Sequence, residues 1–270
     1  MALDTLARRA LLLLVLSAST ACATSTTEDD AEGTASDESA LTAAGPKLTF
    51  ASGVVVPVAA VRSTTNVELT ALPERSTAAL QLVVAPGVAL GRLASQDGAK
   101  AALTLGGGVY DLGPSDVTSI AFPSVAAKPG DKTNAFITVA FKPTEIKYMK
   151  ASGDVAKPSI GPSSSASVTS FSLALGGATS ASSMILDAFT LHPDTPGAVL
   201  GATMAEADAG AWTTWADGER RDGTLRYAGP AGTVDLALRG VSLAKKKPAK
   251  DKNAWHVELY VEEIQVKGSI

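Results

Sequence analysis

The sequence is poor in the residues that usually carry chemistry. Its single cysteine, Cys22, leaves no partner for an internal disulfide. Its two histidines, His192 and His256, leave little imidazole for catalysis or metal binding. No cysteine pair, His-x-x-x-His helix or Asp-x-Asp-x-Asp-Gly loop occurs, so no metal site and no cofactor are expected. Leu105-Gly106-Gly107-Gly108 lacks the Lys-Ser/Thr of a phosphate loop and reads as a turn. Aromatic residues make up only 5% of the chain, so its cores must be built from Val, Leu, Ile and Ala. A net charge of -4 and a pI near 5.3 speak against nucleic acid as a partner.

Long apolar runs are also missing. The longest, residues 10–16, is too short for a permanent span, but it follows Arg8 and Arg9 and precedes small residues. Residues 1–21 therefore read as a signal peptide. Thr20-Ala21-Cys22 resembles the lipobox of bacterial lipoproteins, with Ser19 where a Leu or Val is usual. The resemblance implies acylation of Cys22, a membrane anchor, and residence at the outer membrane, cell surface or periplasm. Cleavage after Ala21 or Ala23, releasing a soluble secreted protein, is the alternative. Residues 22–46 are Thr, Ser, Ala and acid and have no apolar period, so they read as a disordered acidic tether.

What the chain does contain, it contains twice. Asp131-Lys132-Thr133-Asn134-Ala135-Phe136 leads into an alternating strand, and Asp251-Lys252-Asn253-Ala254-Trp255 leads into another. In the second copy Trp255, Val257, Leu259 and Val261 share one face, and His256, Glu258, Tyr260 and Glu262 share the other. Leu48-Thr49-Phe50 is echoed by Phe171-Ser172-Leu173, and Asp111-Leu112 by Asp235-Leu236. The expected fold is mainly β: two tandem sandwich or barrel domains, residues 47–152 and 168–270, each with one short helix. A Gly/Ser/Pro linker, residues 153–167, joins them. Helices are expected at residues 88–94 and 204–217, the second ended by Gly218. Turns are expected at Gly113-Pro114, and residues 184–191 read as one strand.

Candidate site residues are few. His192, in a His-Pro-Asp-Thr-Pro-Gly turn, and His256, on a polar strand face, both read as solvent-facing. Glu258, Glu262 and Glu263, with Asp187, are the acids a hydrolase would draw on, but they read as ordinary surface charge. Trp212 and Trp215 at helical spacing read as core. Lys245, Lys246, Lys247, Lys250 and Lys252 form the one charge cluster with binding promise. It reads as a hairpin loop able to meet phosphates or an acidic partner.

Each unit resembles the phage tail tube protein family, which is related to the secreted tube protein of type VI secretion systems. The resemblance is carried by residues 212–225, Trp-Thr-Thr-Trp-Ala-Asp-Gly-Glu-Arg-Arg-Asp-Gly-Thr-Leu. In the first unit it is carried by residues 137–145 leading to Lys150-Ala151-Ser152-Gly153. It implies small β-sandwiches or barrels with one helix, assembling edge to edge into stacked rings, with no catalytic residues. A signal peptide and a tandem arrangement depart from that family, so the fold is expected to be kept and the role changed. The expected function is that of a non-catalytic structural protein, self-associating or binding another envelope protein. The alternative is a monomeric module for a carbohydrate or envelope component, using the loops at 192–197 and 245–252.

Overall fold

Alternating burial builds nearly every element. The first half of the folded chain gives β1 (Lys47–Phe50), β2 (Val55–Pro57), β3 (Ala60–Ser63), β4 (Leu80–Val84), helix α1 (Val88–Ala94) and β5 (Ala99–Leu105). It continues with β6 (Gly108–Phe122), β7 (Val125–Ala126), β8 (Ile137–Pro143) and β9 (Lys147–Met149). The second half gives β10 (Ser170–Leu175), β11 (Ala178–Thr179), β12 (Ile185–Leu186), β13 (Phe189–Leu191), β14 (Ala198–Ala205) and helix α2 (Gly210–Thr213). It ends with β15 (Arg221–Gly229), β16 (Gly232–Pro248), β17 (Ala254–Val261) and β18 (Glu263–Lys267). In β8, Ile137, Val139 and Phe141 are buried while the residues between them are not. Val257, Leu259 and Val261 do the same in β17.

This is a computed structural model, and it describes residues 46–63, 79–96, 98–105, 108–128, 135–149, 164–250 and 253–267. The protein is mainly β, with two curled antiparallel sheets. One runs β2-β1-β5-β6-β8-β4-β3, and the other runs β11-β10-β15-β16-β17-β14-β12. The two strand orders match term for term. The register matches too: Leu48 faces Leu103 as Phe171 faces Tyr227, and Phe50 faces Ala101 as Leu173 faces Leu225. Each sheet turns about one long strand. β6, of 15 residues, carries β9 and then β8 along one edge. β16, of 17 residues, carries β18 and then β17 along the corresponding edge.

Two expected features differ. Gly113-Pro114 is not a turn between strands but a bulge inside β6. The register slips between Ala101 and Ala102, Gly113 sits at φ 60°, and its N–H donates to Asp111 Oδ1 at 3.1 Å. One extra residue bends a strand without ending it, which lets β6 turn the corner of its sheet. The expected helix over 204–217 is cut to α2. Met204 and Ala205 belong to β14, where they face Trp255 and Ala254. Alanine favours helix, but pairing to β17 and burial of Met204 decide otherwise. Helix α1 has the expected bounds and buries Leu90 and Leu93.

The two sheets are stitched together. β7, from the first half, adds to β12 of the second sheet, with Val125 facing Leu186 and Ala126 facing Ile185. β13, from the second half, adds to β6 of the first, with Phe189 facing Phe122 and Leu191 facing Ile120. Residues 184–191 are thus two strands on two sheets, split at Asp187-Ala188. Phe122, Phe189 and Tyr227 stack at this junction, with centroids 5.0 Å apart for Phe122–Phe189 and 5.1 Å for Phe122–Tyr227. One apolar core runs through both halves. The described residues of both sheets lie within one compact unit, Ser36–Ile270.

Candidate functional site

The lysine cluster is built differently from the expected loop. Lys245, Lys246 and Lys247 lie within β16, not in a turn, because the strand runs on to Pro248 opposite Trp255. Only Lys250 sits in the bend that follows, and Lys252 lies outside the described residues. A register slip between Leu243 and Lys245 marks a bulge at Ala244, which re-aims the lysines after it. All three strand lysines are exposed. Lys246 Nζ donates to the Thr213 carbonyl at the end of α2, at 2.7 Å. Lys247 Nζ lies 3.8 Å from Glu258 Oε1. Lys245 and Lys250 have no carboxylate within ion-pair distance among the described residues.

Beyond Val241, β16 carries β17 on one edge and, among the described residues, no strand on the other. β6 differs at the matching place, where its outer edge carries β13. This open edge and the lysines that line it are the most distinctive surface of the second sheet.

A second cluster lies on the outer face of β14 and β17. His256, Glu258 and Tyr260 project from β17 and face Thr203, Gly201 and Val199 on β14. Asp187 reaches across Gly201 from the end of β12, and its Oδ2 lies 3.0 Å from His256 Nε2. Gly201 is required for this, since a Cβ there would overlap the Asp187 carboxylate. The His256 side chain is only 19% exposed, so it is not the solvent-facing histidine expected from its strand position. Its Nδ1 is buried with no hydrogen-bond partner among the described residues, and Glu258 Oε1 lies 3.9 Å away. An Asp–His pair orients an imidazole for base catalysis, but no hydroxyl or thiol lies within bonding reach of this ring among the described residues.

The remaining candidates are dispersed. Glu262 pairs with Arg220 and Glu263 accepts from Gln265 at 2.6 Å, so the three strand acids do not converge. His192 lies exposed in its turn, where its carbonyl accepts from Thr195 N–H. Trp212 and Trp215 are buried as expected, and Arg221 Cζ stacks 4.2 Å from the centre of the Trp215 ring. Cys22 lies outside the described residues. Among the described residues no group of three or more His, Cys, Asp or Glu is placed to hold a metal.

Sequence reasoning missed the Asp187–His256 pair because the two residues are 69 positions apart and neither sits in a motif. The only local signal is Gly201 inside a largely apolar strand, which marks a close approach without naming what approaches. No model of a known protein family matches this chain, and no curated protein matches it in sequence.

Proposed function

We propose that this is an exported, lipid-anchored protein that acts by assembly and not by catalysis, its β-sheets associating through their edges with another copy or another envelope protein. The observation that carries the reading is internal. The two halves already associate in this way, β7 completing the edge of β12 and β13 completing the edge of β6. Edge addition supplies main-chain hydrogen bonds without needing a pocket. The resemblance to tail tube proteins, whose domains join edge to edge, points the same way. The loop-based alternative is weakened because Lys245, Lys246 and Lys247 belong to a strand.

Light scattering of the Ser36–Ile270 unit across a concentration series, with electron microscopy of the eluted peak, tests the proposal. A defined oligomer that survives dilution supports assembly with like copies. A monomer at every concentration, together with failure to recover any envelope protein after cross-linking in intact cells, overturns it. Palmitate labelling that is lost in Cys22→Ser tests the anchor separately.

A further inference from the structure

We propose that the outer edge of β16, over residues 243–247, takes an extended acidic segment of a partner protein as an added antiparallel strand. The inference rests on the reading that the protein works through its sheet edges, and it names the edge and the chemistry of the partner.

The geometry comes from the match between the two sheets. Val139 and Phe141 occupy β8 as Val257 and Leu259 occupy β17. On the long strands the bulges set the match: the slip between Val117 and Ser119, opposite Phe141 and Ala140, answers the slip between Leu243 and Lys245, opposite Leu259 and Glu258. Ile120 and Ala121 therefore match Lys246 and Lys247, facing Val139 and Thr138 as the lysines face Val257 and His256. The outer edge at Ile120, Ala121 and Phe122 is filled by β13. The molecule thus contains an example of what this kind of edge accepts: a short antiparallel strand. On β16 the corresponding edge has no strand among the described residues.

The chemistry comes from what differs. β13 binds β6 through apolar side chains, with Phe189 stacked on Phe122. Around the matching edge of β16 the chain places exposed lysines at 245, 246, 247 and 250. Side chains alternate along a strand, so Lys245 and Lys247 lie on one face and Lys246 on the other. A partner strand bearing acids at every second position meets Lys245 and Lys247 along one face. Lys245 and Lys250 have no carboxylate partner among the described residues and so are available to such a strand. An apolar strand like β13 gains nothing here. A second β16 edge is repelled, because charged lysines are the usual guard against pairing of identical edges. Backbone pairing gives such an interaction its geometry and the lysines give it selectivity.

The test uses the full chain in detergent and a fluorescein-labelled peptide of alternating Glu and Thr. Three comparisons are made: the same peptide N-methylated at every second residue, Lys245→Glu in the protein, and vesicles of phosphatidylglycerol. Lys245 is exposed and bonded to nothing described, so its charge reversal leaves the fold intact, which circular dichroism verifies. The expected result is saturable binding of the plain peptide, weakened about tenfold or more by N-methylation and by Lys245→Glu. Equal binding of the N-methylated peptide overturns strand addition, since charge alone then suffices. Vesicle binding without peptide binding also overturns it, in favour of a lipid surface. A monomer that still binds the plain peptide selectively removes self-assembly but keeps this edge site. An oligomer that ignores the peptide removes the edge site but keeps assembly.

Discussion

Asp187 and His256 meet across a strand that belongs to neither of them. The carboxylate passes over Gly201 of β14 to reach the imidazole on β17, at 3.0 Å. Asp187 also sits where the chain leaves β12 for β13, so the contact pins the crossing between the two sheets. Gly201→Ala should displace the carboxylate and cost about 1 kcal/mol, the scale of a hydrogen bond whose Asp187 side is half exposed. Asp187→Asn should cost less alone and add almost nothing in the Gly201→Ala background. Urea midpoints of the two single variants and the double variant form the cycle, and fully additive losses would remove the link.

Phe122 stacks on both Phe189 and Tyr227, so it belongs to both sheets at once. Phe122→Ala should cost about 3–5 kcal/mol. Because the core is continuous, wild type should unfold in one transition by both fluorescence and circular dichroism. Two separated transitions in wild type would show that the junction contributes little to cooperativity.

Tyr227 carries a hydroxyl that is buried and has no hydrogen-bond partner among the described residues. Burial holds this phenol well above its ordinary pKa, so it stays protonated throughout the accessible pH range. Removing an unsatisfied buried polar group is neutral or stabilising. Tyr227→Phe should leave the melting temperature unchanged or raise it by a few degrees, and a clear fall would reveal a partner for the hydroxyl.

Arg226 grips Asp235 with two hydrogen bonds, Nε at 2.6 Å and Nη2 at 2.8 Å. Those bonds hold the Asp235 carboxyl below its ordinary range. Such a group adds stability that is present above its unfolded pKa, about 3.9, and is lost as pH falls through the lower folded value. Arg226→Gln should therefore lower the urea midpoint at neutral pH. The loss should be under about 1 kcal/mol, because the pair is largely solvated. Below pH of about 4 the gap between variant and wild type should close. A gap that persists at low pH would assign the effect to packing of the arginine stem instead.

The legible parts of the fold were those written in local alternation. β8 and β17 follow from the apolar residues at every second position, and α1 follows from Leu90 and Leu93 three apart on one helical face. The echo of residues 48–50 in 171–173 was legible because the two stretches face equivalent partners in each sheet. What was hidden depended on distant neighbours. Gly113-Pro114 has turn chemistry, yet pairing with Ala101 and Lys100 of β5 holds it within a strand. Lys245, Lys246 and Lys247 have loop composition, yet β17 supplies a partner for every one of them. Asp187 and His256 carry no mark of each other in sequence, and only the order β12-β14-β17 brings them together.

The stitching of the two sheets also sets an order of events for a chain made from its N-terminus. The edge of β6 at Ile120, Ala121 and Phe122 is complete only when Phe189, Thr190 and Leu191 arrive, about seventy residues later. Until then a nascent chain presents an apolar edge, with Phe122 uncovered, to whatever strand is nearby. Synthesis that pauses in this interval, or a chain truncated before β13, leaves a template for mispairing. The first half of this protein is therefore the part that most needs a chaperone while it waits for the second.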